Sequence, residues 1–250
     1  MVVLTLALLK KAIEINPAQE YECLGNLNLY DSPELKALAT QVLPGRQLKI
    51  LALPFDEAGQ VNGNAIRVCL CEDDYPGWIA VEDLDLLVTA EVAYEPLFLP
   101  EAEIRTRLPQ VIAFAYAAMN EPNRYLWGGT VGPNYDCSGL MQTAFASVGI
   151  WIPRDAYQQE AFVCPLAIEE LEPGDLVFFG TPDRATHVGL FIGDNCYLHS
   201  SGKDQGRNGI GIDVLAETDD PVSSAYYRQL RGAGRILSSY QPTLSSTGVF

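Results

Sequence analysis

Asp136-Cys137-Ser138-Gly139-Leu140-Met141-Gln142-Thr143-Ala144-Phe145-Ala146-Ser147-Val148-Gly149 is the stretch on which the fold of this chain turns. Leu140, Ala144 and Val148 recur every four residues and Gly149 stands where a helix C-cap belongs, so a helix is predicted over 137–148. A polar, glycine-containing loop, Trp127 to Tyr135, leads into it. Cys137 therefore falls at a helix N-terminus, where backbone N–H groups and the macrodipole favour an anion, and a lowered thiol pKa is expected. The same N–H groups suit a tetrahedral oxyanion. The other cysteines (Cys23, Cys69, Cys71, Cys164, Cys196) lack this setting. They read as structural thiols, since no further Cys or His stands at metal-ligand spacing and a chain with a good core needs no disulfide staples.

Working outward, the sequence holds only two histidines among 250 residues. After Pro173-Gly174-Asp175 the periodicity changes to that of strands, over 176–179, 187–192 and 196–200, with Gly193-Asp194-Asn195 as a turn. His187 opens one strand and His199 closes the next. With a three-residue turn they lie opposite each other, Cβ atoms ~5 Å apart on one face. A thiol nucleophile needs a base, and the base needs a third group to fix its tautomer. A helix-borne Cys facing a sheet-borne His, with a second His behind it, meets that need. Taken singly, a histidine in a sheet or a cysteine at a helix start is more often structural; the conjunction carries the reading. Upstream, Glu101 to Asn120 is helical, with Pro109 marking a kink or a fresh start. Helices followed by an antiparallel sheet predict an α+β domain.

Residues 20 to 90 differ. Runs at Asn26–Tyr30, Gln47–Leu53, Ala65–Cys71 and Trp78–Val81, separated by Gly/Pro turns, predict a small β-barrel or sandwich, with Asn62-Gly63 as a hairpin signal. The proline-bearing segment Tyr94 to Pro100 bridges the halves, giving domains at 1–95 and 96–250. Leu4 to Ile15 reads as a short amphipathic helix. The apolar run Val2 to Leu9 has its lysines after it and falls short of the ~18 residues that span a bilayer, so a cytoplasmic protein is expected. The net charge of −16 argues against nucleic acid and membrane surfaces as partners.

Tyr125-Leu126-Trp127-Gly128-Gly129, Asp136-Cys137-Ser138-Gly139-Leu140, Pro173-Gly174-Asp175-Leu176-Val177-Phe178-Phe179 and His187-Val188-Gly189 resemble, in order and spacing, the successive motifs of NlpC/P60 cysteine peptidases. The resemblance covers about residues 105–235. It implies a papain-like α+β fold with Cys137 as nucleophile, His187 as base and His199 as orienting residue. It implies no metal or organic cofactor. The implied substrate is a murein tripeptide or tetrapeptide, cut between D-glutamate and the diamino acid. The first half resembles a bacterial SH3 domain, a small all-β barrel. Asp73-Asp74-Tyr75-Pro76-Gly77-Trp78 is similar to a segment of two-domain cyanobacterial-type members. In those members a tyrosine, and the aspartate before the nucleophile, hold the free amine of an N-terminal L-Ala; carried over, these are Tyr75 and Asp136, with Ser138 assisting. Such a site rejects peptides still amide-linked at that end. Tyr125 and Trp127 are expected to line the same pocket. Asp136 also suits the helix N-cap, and Arg154-Asp155 receives no role. The rival readings are an amidase or acyltransferase of the same fold, and a wall-binding protein without catalysis.

Overall fold

Turn residues break the first ninety residues into short strands. In the computed structural model, which describes residues 4–243, the chain divides into two units: residues up to Pro96 with tail residues 241–243, and Leu97–Tyr240. The first unit opens with α1 (Leu6–Ile15), where the Thr5 hydroxyl accepts from the Leu8 N–H as N-cap and Leu9 is buried. The start of the apolar run, at Val2, lies outside the described residues. Seven strands follow: β1 (Glu20–Cys23), β2 (Leu27–Tyr30), β3 (Leu38–Val42), β4 (Gln47–Ala52), β5 (Ala65–Leu70), β6 (Pro76–Ala80) and β7 (Leu87–Thr89). They form one antiparallel sheet in the order β3-β2-β6-β5-β4-β1-β7. Its core gathers Tyr21, Leu27, Leu29, Leu48, Ile66, Val68 and Ile79. Asn62-Gly63 lies in the loop between β4 and β5, where Phe55 and Val61 make a single bridge, and so closes no tight hairpin.

In the second unit α2 (Glu101–Asn120) runs through Pro109 as one helix. Pro109 cannot donate to the Arg105 carbonyl, but both residues are exposed and water can take the missing partner's place. Next come α3 (Cys137–Ala146), α4 (Ala156–Phe162) and α5 (Pro221–Tyr227). The sheet comprises β8 (Cys164–Leu166), β9 (Leu176–Gly180), β10 (Ala185–Gly193), β11 (Cys196–Ser201), β12 (Gly209–Val214) and β13 (Leu230–Arg235). Its order is β12-β11-β10-β9-β13-β8, antiparallel throughout. This is an α+β domain. Helix α3 packs on β10 and β11 and is buried almost all round, from Cys137 to Gln142 and again at Ala144 and Phe145. Gly139 lets the loop before α3 lie close on the helix: a Cβ there would stand 2.1 Å from the Gly129 carbonyl oxygen. No described helix is long and apolar enough to cross a membrane.

The hairpin register departs from expectation. Leu190 pairs with Leu198 and Phe191 with Tyr197, and after a bulge Gly193 faces Cys196. The turn is therefore Asp194-Asn195 alone, both with positive φ (51° and 58°), as a two-residue hairpin of the primed type requires. One step back from Leu190, it is Gly189 and not His187 that opposes His199. The histidines are diagonal neighbours.

Candidate active site

Asp136 joins the loop to α3. Its Oδ1 accepts from the Gly139 N–H (2.6 Å) and its Oδ2 from the Gly128 N–H (2.8 Å), so one carboxylate caps the helix and pins the loop. Arg154 braces it from the other side. One guanidinium nitrogen donates to Oδ2 (2.7 Å) and the other to Oδ1 (3.1 Å) and to the Ser138 hydroxyl (3.0 Å). Arg154 is 1% exposed and Asp136 6%. Removed from water, the pair holds together through this forked geometry and the surrounding N–H donors. The sequence reading left Arg154 without a role; it is the buried counter-ion of the residue before the candidate nucleophile.

Cys137 follows, buried at the first position of α3. Burial, and then the Asp136 charge, push its thiol up to about 12. The N–H groups of Val188 and Ser138 and the charge of Arg154 act in the opposite direction without prevailing. The expected lowering is thus opposed, because burial and the Asp136 charge outweigh the N–H donors and Arg154. The Val188 contact sets the sulfur against the strand residue that follows His187.

His187 and His199 meet across β10 and β11, with His187 Nε2 2.7 Å from His199 Nδ1. The ring centroids are 4.9 Å apart and the planes nearly perpendicular. Diagonal pairing gives this reach, since neighbours two residues out of register still touch through long or aromatic side chains. Burial and then the neighbouring His199 hold His187 well below the usual imidazole range, against the pull of Asp213. Burial also lowers His199. Both rings are therefore neutral near pH 7. A neutral imidazole can accept a proton, the role that a general base for a neutral thiol requires.

Of the residues expected to bind substrate, Tyr125 is half-buried and its phenol is pushed up by burial, then by the nearby Cys137 and Asp136. Ser138 is buried against Arg154. Trp127 is 72% exposed, directly before Gly128. Tyr75 belongs to the first unit, half-buried against that unit's core at the turn entering β6. The sequence reading missed Tyr226, on α5, whose ring stacks on His187 (centroids 4.4 Å apart, planes 27°) while its hydroxyl meets Ser201 (3.0 Å). A legible signal lay in Asp220-Pro221, an N-cap followed by proline at the first helical position; Asp220 accepts from the Val222 N–H at 2.7 Å. Among the described residues no group of three or more His, Cys, Asp or Glu is arranged to hold a metal ion.

Comparison with known proteins bears on this constellation. Residues 122–231, which include Cys137, His187 and His199, match the NlpC/P60 family. The second unit is an NlpC/P60 domain. Residues 29–84 match the bacterial dipeptidyl-peptidase SH3 domain, so this NlpC/P60 domain follows an SH3 domain in the chain. A γ-D-glutamyl-L-lysine dipeptidyl-peptidase of Bacillus subtilis is 34% identical over 117 residues, covering 46% of this chain and 36% of the relative. A probable endopeptidase, NlpC homologue, of Haemophilus influenzae is 43% identical over 109 residues, covering 43% of this chain and 54% of the relative. The matches thus span about a third to a half of these relatives. A crystal structure of an NlpC/P60 family protein from Bacillus cereus aligns with 91% of this chain and 66% of that one, at 23% identity and a TM-score of 0.46.

Proposed function

We propose that this chain is a cysteine endopeptidase that splits the bond between γ-D-glutamate and the diamino acid in murein peptides with a free N-terminal L-Ala. The observation that carries the reading is the hydrogen-bonded His187–His199 pair, with buried Cys137 held against Val188, inside an NlpC/P60 domain. Two Bacillus relatives bear the name γ-D-glutamyl-L-lysine dipeptidyl-peptidase, which motivates the choice of bond. In this reading the Cys137 sulfur attacks the γ-glutamyl carbonyl as its proton passes to His187, and His199 holds the ring. Collapse of the tetrahedral intermediate breaks the C–N bond, and His187 returns the proton to the departing amine. Water, deprotonated by His187, then cleaves the thioester and frees the dipeptide. Free L-Ala amines occur on peptides already cut from their glycan, so we assign the activity to recycling of such peptides in the cytoplasm.

One observation favours a second reading. Asp136 already accepts from Gly128, Gly139, Ser138 and Arg154, and Arg154 matches its charge. A site of that kind suits an amidase or acyltransferase whose substrate brings no ammonium. Incubation with L-Ala-γ-D-Glu-diaminopimelate and its N-acetylated form, with products read by mass spectrometry, separates the two. The endopeptidase reading requires diaminopimelate and L-Ala-D-Glu from the free peptide, little from the acetylated one and none with Cys137→Ala. Equal cleavage of both peptides overturns the amine requirement, and Tyr75→Phe is expected to raise KM with kcat retained.

A further inference from the structure

We infer that Asp213 is a positioning residue that fixes the proton on both histidines, so that the only bare ring nitrogen of His187 is the one a thiol proton can use. The inference rests on reading Cys137 and His187 as nucleophile and base. Its geometry is a staircase across three adjacent strands. His199 sits on β11 opposite Gly211 of β12, and Asp213 lies two residues beyond Gly211, on the same face. His187 stands in the same relation to Gly189 on β10. Glycine at position 189 leaves room for the diagonal lean; a Cβ there would come within 3.4 Å of the His199 Cβ and 2.6 Å of the Tyr197 ring.

Proton logic follows from the contacts. His199 Nε2 is 2.7 Å from Asp213 Oδ2. The same carboxylate accepts from Arg207, through Nε at 3.3 Å and through a second guanidinium nitrogen, and from the Ser223 hydroxyl at 2.8 Å. Arg207 is itself paired with Asp220 at 2.6 Å. Around Asp213 the remaining titratable neighbours are the phenols of Tyr197 and Tyr226, both pushed up by burial. Burial alone would raise Asp213, but the donors His199, Arg207 and Ser223 outweigh it and hold the carboxyl well below its usual range. An ionised carboxylate has no proton to give, so His199 carries its proton on Nε2. Neutral His199 then has a bare Nδ1, which must accept from His187 Nε2–H. Neutral His187 is left with a bare Nδ1, a proton acceptor. Reversing the Asp213 contact reverses every step and leaves His187 with an Nδ1–H, a donor that cannot serve as base.

Asp213→Asn performs that reversal. Arg207 and Ser223 both donate at the Oδ1 position, against the single long Arg207 Nε contact (3.3 Å) at Oδ2, so the amide oxygen belongs at Oδ1 and the NH2 turns to His199 Nε2. Because the chain holds only two histidines, two-bond proton–nitrogen spectra of the full-length protein labelled with 15N-histidine read both tautomers directly. The expected wild-type pattern is Nε2–H on both neutral rings near pH 7.5, moving to Nδ1–H on both in Asp213→Asn. By analogy with amidation of the carboxylate in a Ser–His–Asp triad, kcat on the murein tripeptide is expected to fall on the order of 10⁴-fold, with KM held. Asp213→Glu is expected to restore the Nε2–H pattern. A wild-type spectrum with Nδ1–H on either ring overturns the inference without need of any variant, as does an unchanged pattern in a folded Asp213→Asn. The expected spectra with a wild type that cleaves no peptide would sink the peptidase reading and leave the proton assignment standing. Cys137→Ala is expected to abolish cleavage while keeping the wild-type tautomers.

Discussion

Replacing Arg154 with leucine tests how the loop-to-helix joint is held. The guanidinium is 1% exposed and supplies three of the hydrogen bonds that engage Asp136 and Ser138. Without it Asp136 keeps the Gly128 and Gly139 N–H groups but loses its counter-ion while remaining almost out of water. Removing one partner of a buried ion pair costs about 3–5 kcal/mol, most of it the penalty of the charge left behind. For a unit of this size that corresponds to a fall in Tm of about 10 °C or more. Arg154→Lys keeps the charge but not the fork, and should fall between. The decisive arm adds Asp136→Asn to Arg154→Leu. With the carboxylate neutralised, part of the lost stability returns, giving a coupling energy of about 1–3 kcal/mol in the double-mutant cycle, as for directly contacting groups. Thermal and denaturant unfolding of the four proteins measure it. Should Arg154→Leu lie within about 1 kcal/mol of wild type, or the cycle be additive, the joint is not held by this pair and the reasoning fails.

Three further outcomes follow. His187 and His199 are buried with lowered pKa values, so the unfolded state binds more protons than the folded one once pH falls below the ordinary imidazole value of about 6.5. The stability they contribute is complete above that pH and is lost as pH falls toward their folded values; His187→Gln with His199→Gln should flatten the decline between pH 7 and 5 relative to wild type, and parallel curves would refute the link. Gly139→Ala, whose Cβ would meet the Gly129 carbonyl, should lower Tm and abolish peptide cleavage, whereas Gly232→Ala, with open space around its Cβ, should keep both; equal behaviour of the two in a thermal melt and cleavage assay would contradict the packing argument. Trp127→Ala removes an exposed side chain and should leave stability within about ±0.5 kcal/mol, so a raised KM with an unchanged melt identifies it as a substrate-facing residue.

The two folds were legible because short-range signals carry them. The recurrence of Leu140 and Ala144 reappears in α3, which ends at Ala146 with Ser147 as C-cap, short of Val148 and Gly149, and the helical pattern over 101–120 reappears as α2 without a fresh start at Pro109. What escaped depends on pairing between distant segments. Strands β1 and β7 are short and pair with each other from near the two ends of the unit. The histidine register was missed because Gly193-Asp194-Asn195 is centred on Asp194 and not on Gly193: the two-residue turn and the bulge between Phe191 and Gly193 together set Leu190 against Leu198, and hence His199 against Gly189. Arg154, Asp213 and Arg207 were invisible for a different reason. A charged residue in sequence looks the same whether it is solvated or buried against a partner, and these partners lie 18, 14 and 6 positions away.

The reversed thiol shift changes where reactivity must come from. A cysteine held as a thiol in the folded protein gains nothing from a standing thiolate, so the acceptor of its proton decides the rate. In the proposed mechanism that acceptor is the His187 imidazole, its proton set from Asp213 two strands away, and the stacked Tyr226 ring limits how far His187 can swing. In that mechanism a stiffened base lowers the reorganisation required when sulfur attacks, which would match a buried thiol to acyl transfer. Disturbing the staircase at His199 or Asp213 should therefore depress kcat more than KM, because both act on proton transfer through His187 and neither has to touch the peptide.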